Sequence, residues 1–186
     1  IVNSLSFWRI KMTQSKIEFI GCKGTISDVN EFISKVADFS KEHQIGIQLL
    51  DANLVFGKDH IISSFKHAKR SIQRNEASTN SFEMELLLYA AGERQIKHAI
   101  SKMGVKPKDT TFAVIFIIND KSTKNFNNII DIFLQIFNLK RDDGVLIPDE
   151  TKLTEYGIKK QAIESVKKNQ IFQLVLEKIA LVDVIK

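Results

Sequence analysis

Cysteine occurs once in this 186-residue chain, at Cys22, and proline twice. A lone thiol cannot close an internal disulfide or build a cysteine-based zinc site within one chain, and it fits a reducing compartment. Beside a turn it reads as a small half-buried group, not a nucleophile. So few prolines, with 26% charged residues, argue against long disordered linkers. No apolar run approaches the roughly 20 residues that cross a bilayer, so no membrane partner is expected. A Walker-type glycine loop, HExxH and GxSxG are missing. Glu83 and Glu85 fall on different sides of a helix and make no carboxylate pair, and no serine sits in a recognisable nucleophile context. The chain is therefore not expected to be an enzyme, and no cofactor, metal or catalytic residue is expected.

What remains is 44% hydrophobic with a formal net charge of +5, enough for one globular domain with a real core. The first residues, IVNSLSFWRIK, precede Met12. They lack the long apolar core and cleavage site of a signal peptide. Met12 is the expected functional start, with residues 1–11 an upstream extension or cloning remnant; the domain is expected over residues 16–186, so that residues 1–15 together form an N-terminal extension to it.

Hydrophobic periodicity sets the order of elements. Lys16–Gly21 alternates like a half-buried strand. Thr25 or Ser27 can cap a helix to about His43, with Val29, Phe32, Ile33, Val36 and Phe39 on its apolar stripe. Ile47–Leu50 is a short strand ending at Asp51. Helical patterns follow at Lys58–Asn75, Phe82–Ala91 and Glu93–Met103, the last stopped by Gly104, a residue that tolerates positive φ. Thr111–Ile118 (TFAVIFII) is a continuous β-branched and aromatic run, the mark of a central strand buried on both faces. Asn125–Asn138 reads as a helix, Asp143-Gly144 as a turn, Val145–Ile147 as a short strand, and Gly157–Lys168 and Gln170–Ile185 as closing helices. The fold class is α/β in composition (α+β): one small sheet covered by many helices.

Two of these helices have basic solvent faces. Wound at about 100° per residue, Lys58–Asn75 buries Ile61, Phe65, Ala68 and Ile72. Opposite lie Lys66, Arg70 and Arg74, four residues apart, flanked by His60 and His67, with Asp59 the only acid. The glutamates that normally pair such bases along a helix are missing. In Glu93–Met103 the buried face is Ile96, Ala99, Ile100 and Met103, and the other carries Arg94, Lys97, His98 and Lys102. Phosphate binding is the obvious use of unpaired bases, because each neutralised phosphate releases counterions; a merely solvated face is the alternative. Tyr89 is the best candidate for stacking an unpaired base. A metal pair at His60 and His67 is disfavoured by the seven-residue spacing and the lack of a third ligand.

The last helix is apolar nearly all round, with Phe172, Val175, Ile179 and Val182 on one face and Ile171, Leu174, Leu181 and Ile185 on another. Such a helix must be covered on most sides, by its own domain or by a partner.

The order LLDANLVFGKDHIISSFKHAKRSIQ, then EMELLLYAAGERQIKHAISKMGV, resembles the small kinase-binding subunit of the KEOPS (EKC) complex, the PRPK-binding protein family, in its archaeal branch. The likeness runs from about Lys16 to the C terminus. It is most specific at Glu85–Gly92 with Arg94-Gln95-Ile96, at His60 after Gly57, and at the terminal ALVDV. The resemblance implies a compact domain with a small antiparallel or mixed sheet among about seven or eight helices. It implies a noncatalytic, cytoplasmic subunit (also nuclear in a eukaryote) that binds the N-terminal lobe of the complex's atypical kinase, an ATPase, and helps recruit tRNA by its 3′ CCA end. The chemistry, formation of N6-threonylcarbamoyladenosine, then belongs to a separate catalytic subunit. On that footing His60, Lys66, His67, Arg70, Arg74, Arg94, Lys97 and Lys102 are the expected tRNA contacts. Phe172, Val175, Ile179, Leu181 and Val182, with Phe32 and Val36 as an adjunct, are the expected kinase contacts. A small RNA-modifying enzyme with an unrecognised site, or a scaffold that binds protein alone, are the competing readings.

Overall fold

The apolar run Thr111–Asn119 forms β3, the central strand of a four-stranded antiparallel sheet of order β2-β3-β1-β4. The computed structural model describes residues 15–119 and 126–185; the expected extension lies outside these residues except for Ser15, which opens β1 (Ser15–Lys23). β1 pairs along its whole length with β3, from Ser15 opposite Asn119 to Lys23 opposite Thr111. β2 (Gly46–Asp51) pairs with the other edge of β3, and β4 (Lys140–Arg141) meets β1 at Cys22 and Lys23.

Because successive strand residues face opposite sides, β3 supplies two cores. Ala113, Ile115 and Ile117 enter one, and Phe112, Val114, Phe116 and Ile118 the other. Helices α1 (Val29–His43) and α5 (Phe126–Ile136) cover the second through Val36, Phe39, Ile130 and Phe133. Phe39 and Phe116 each meet Phe133 edge-on at centroid distances of 5.4 and 5.3 Å, a geometry that aromatic quadrupoles favour. The first core is covered by α2 (Gly57–Gln73), α3 (Phe82–Ala91), α4 (Ile96–Met103) and α7 (Gln173–Ile185), with the short α6 (Lys160–Ser165) at its margin. Seven α-helices among the described residues and a small antiparallel sheet make the class α+β, as expected.

Local chemistry fixes the boundaries. Neither Thr25 nor Ser27 caps α1; Asp28 does, its carboxylate accepting the Glu31 N–H at 3.0 Å. Ser81 caps α3 by accepting the Met84 N–H, and Gly92 closes it in the left-handed region at φ 60°, where only glycine is unstrained. Gly104 ends α4 for a different reason from the one anticipated. Its φ is −68°, and a Cβ there would stand 2.5 Å from the Ile100 carbonyl oxygen. The strand expected at Val145–Ile147 is instead a 3₁₀ turn, Asp143–Leu146. Asp142 accepts the Gly144 N–H, and Asp143 takes the Gly21 N–H that a neighbouring strand would otherwise use. The closing helices begin later than their apolar pattern, at Lys160 and Gln173.

Candidate functional site

Helix α2 separates its two histidines. His60 is buried at 1% exposure. Its Nδ1 accepts the Phe56 N–H at 3.1 Å and its Nε2 reaches the Ala90 carbonyl at 2.8 Å, which fixes the tautomer with Nε2 protonated. Burial, opposed by the Ala90 bond, lowers its pKa to about 4, so the ring is neutral. His60 is therefore a tie between helices and not a surface contact for nucleic acid, correcting its place among the expected tRNA ligands. Ser64, Ala68 and Ser71 lie on the same buried side. Small residues there let α3 pack close, and that spacing was the sequence signal for a buried histidine.

His67, one turn beyond Ser64, meets an acid the sequence had not paired with it. Asp183 of α7 presents Oδ2 to His67 Nδ1 at 2.8 Å and to Arg70 Nη2 at 2.6 Å, and Tyr89 Oη donates to its Oδ1. Burial alone would raise the Asp183 pKa; the hydrogen bonds from Tyr89, Arg70 and His67 outweigh it and hold the carboxyl below its ordinary value. Tyr89, fully buried, is no stacking platform. Its phenol is pushed up by burial first and by the bond to Asp183 second. Arg70, the middle cation of the face read as unpaired, is thus neutralised from 113 residues away in sequence. Lys66 on α2 and Arg74, which caps its C-terminal end, are exposed with no ion pair among the described residues.

On α4 the face is turned differently. Ala99 and Met103 are buried, but Ile96 and Ile100, expected inside, are 40% and 45% exposed beside Arg94 and Lys97. Those two cations are exposed and make no ion pair among the described residues. Lys102 is instead turned inward. It donates to the Ala91 carbonyl and to Glu93, and lies 4.1 Å from the centroid of the Tyr156 ring. Burial first, with Lys178 nearby and Glu93 opposing, brings its pKa down to about 8. The negative end of the α3 dipole accounts for this placement: Lys102 serves the Ala91 carbonyl, while His60 and Tyr156 Oη both serve that of Ala90. Lys102 therefore also leaves the expected surface. Helix α3 packs against both α2 and α4, so the two basic faces flank it.

Sequence reasoning missed two organising groups. Tyr156, fully buried, is one. The other is Glu85, also fully buried; it accepts hydrogen bonds from Ser71 Oγ, from the Ser78 and Thr79 amides and from Thr79 Oγ1. These bonds satisfy a carboxylate that burial would otherwise penalise heavily, and they hold the polar loop between α2 and α3. The density of small hydroxyl residues in EASTNS was its available signal.

Helix α7 resolves its two apolar faces. Val175, Ile179 and Val182 are fully buried in the first core, because they face α2 and α3. They cannot touch a partner in this fold, which corrects their assignment as docking residues. Val36 of α1 is buried likewise and Phe32 packs edge-on against Phe137. Leu181 is 55% and Val184 76% exposed. Leu181 and Leu174 line a groove of about 380 Å³ with Ile158 and Ala162. Phe172 lines a larger one, about 860 Å³, with Phe19, Phe56 and Pro148.

No helix among the described residues is long and apolar enough to cross a membrane, and none of their His, Cys, Asp and Glu side chains form a group of three or more able to hold a metal. Residues 25–183 match the family model described as kinase binding protein CGI-121. The chain is also 31% identical over 144 residues to the regulatory protein Cgi121 of Methanocaldococcus jannaschii, an alignment covering 75% of this chain and 84% of that protein. A match over most of the chain, in agreement with a curated relative, places this protein in the CGI-121 family of kinase-binding regulatory proteins.

Proposed function

We propose that this protein is a noncatalytic regulatory subunit of a KEOPS complex, binding the complex's atypical kinase through the outer face of α7 and helping to recruit tRNA by its 3′ CCA end for N6-threonylcarbamoyladenosine formation. The observation that carries the kinase half is on α7. With Val175, Ile179 and Val182 committed to the core, Leu181 and Val184 remain outward and apolar at the end of a helix, with Leu174 part-buried in the adjoining groove. Exposed apolar side chains contiguous with a groove are what a helix or sheet of a partner covers. The tRNA half is supported by Lys66, Arg74, Arg94 and Lys97, four exposed cations without ion pairs among the described residues.

Leu181→Asp tests the docking surface. Burying a carboxylate in an apolar contact costs several kcal/mol, so copurification with the kinase should be lost. Because Leu181 is outside the core, the melting temperature should change little. A folded Leu181→Asp protein that still binds the kinase would put the docking surface elsewhere. Ile179→Asp is unsuitable, since Ile179 has no exposed surface and the change would unfold the domain.

A further inference from the structure

Three donors from two helices converge on one carboxylate carried by a third. Tyr89 Oη donates to Oδ1 of Asp183, while Nδ1 of His67 and Nη2 of Arg70 lie 2.8 and 2.6 Å from its Oδ2. A guanidinium, an imidazole and a hydroxyl around one oxyanion make a donor set that suits carboxylate and phosphate alike. Two of the three donors are held by the core, while Arg70 and the carboxylate it pairs with are the exposed members, at 40% and 32% of their side chains. Tyr89 is fully buried within α3 and His67 is mostly covered, whereas Asp183 sits in the last turn of α7 with a third of its side chain exposed. Partly exposed ion pairs of this kind are worth little on balance, so another anion can compete for the donors.

We propose that Tyr89, His67 and Arg70 form an anion-binding site that Asp183 occupies in cis, so that a phosphate of a polyanionic ligand and the last turn of α7 exclude one another from it. The proposal rests on the RNA-binding reading above and adds its regulation. The turn that Asp183 anchors also carries Leu181 and Val184. A phosphate entering the site would loosen the surface proposed for the protein partner. A partner seated on that surface would keep Arg70 and His67 engaged by Asp183.

The test is tRNA binding by the full chain at fixed salt, comparing wild type with Asp183→Asn, Arg70→Gln, the double variant and Glu177→Gln, an exposed acid on the same helix. Asp183→Asn should tighten binding about fivefold or more, the lower range of a coupling free energy, and Glu177→Gln by far less. In the Arg70→Gln background the gain from Asp183→Asn should vanish. An equal gain there, or none in the single variant, overturns the proposal. Should Asp183→Asn fold poorly, Asp183→Ser removes the competing carboxylate while leaving Tyr89, His67 and Arg70 in place, and the same tightening is expected. Amide exchange in the last turn of α7 should accelerate when wild type is saturated with tRNA; unchanged exchange would also overturn it. If no variant binds tRNA, the RNA reading itself has failed, an outcome distinct from binding that ignores Asp183.

Discussion

Helices α2 and α4 carry basic residues at similar spacing, yet the fold uses them in opposite ways. On α2 the middle of the face is claimed from outside: Asp183 of α7 takes His67 and Arg70, and the ends, Lys66 and Arg74, stay unpaired. At α4, Arg94 in the bend before the helix and Lys97 in its first turn stay unpaired, and Lys102 near its end is drawn inward beneath Tyr156. The difference comes from what each helix packs beside. Helix α2 lies against α7, which brings a carboxylate. Helix α4 follows the carbonyl end of α3, which needs donors. A run of bases without local acids is therefore not evidence of a free surface until the neighbours across the fold are known.

The sharpest way to break this comparison is within α2 itself. His60→Ala leaves the Phe56 amide and one bond to Ala90 unmet in a closed core, and opens a cavity. It should cost about 3 kcal/mol or more, a fall of roughly 6–12 °C at this chain length. His67→Ala, at the rim, should cost under about 1 kcal/mol. Equal losses in thermal melts would show that burial does not separate the two histidines.

Acid provides the next largest effect. His60 titrates at about 4 in the folded chain against 6.5 when free. The unfolded chain therefore takes the proton first as pH falls. The stability that neutral His60 supports is intact above about 6.5 and is lost progressively toward 4, up to about 3 kcal/mol. Asp183, with its carboxyl held low, adds a loss of the same sign at more acid pH. Urea melts at pH 7 and 4.5 should show this fall in wild type and a shallower one in His60→Asn. Parallel slopes would remove His60 from the account.

Much of the fold was legible because each strand and long helix buries one consistent pattern. TFAVIFII could only be central, and Phe133 and Phe39 announced the helices above it. The short elements were not legible. Lys140–Arg141 is too brief for any period, and the Asp142–Asp143 turn replaced a strand through side-chain bonds to Gly144 and Gly21. At the site, Lys66 and Lys97 lie on the solvent side of their helices as the helical wheel placed them, whereas Arg74 and Arg94 are exposed just outside the helices, which are shorter than their periodic patterns. His60 and Lys102 do not, since a wheel reports a direction but not what stands there. Asp183 was invisible as a partner, because only the packing of α7 across α2 and α3 brings it to Arg70.

The unpaired cations sharpen the comparison further. Reversing Arg94 and Lys97 together, or Lys66 and Arg74 together, should weaken tRNA binding about tenfold or more and reduce the salt slope by between one and two. Both pairs should act if the ligand spans α3, whereas an effect confined to one pair would restrict the contact to that helix. Binding curves at two or more salt concentrations separate these outcomes.

The smallest effect on RNA belongs to Lys102. It points at Ala91, Glu93 and the Tyr156 ring, and its side chain is 14% exposed. Lys102→Met keeps the length of the stem and most of its packing while deleting the charge. If Lys102 serves the end of α3 and not a ligand, tRNA affinity should stay within about twofold of wild type with an unchanged salt slope. Stability should respond to pH instead. The folded chain releases this proton at about 8 and the free side chain at 10.5, so wild type should gain stability as pH rises between those values. Lys102→Met should lack that gain. A lost phosphate contact, seen as a lower salt slope, would return Lys102 to the binding face and make α4 basic along its whole length.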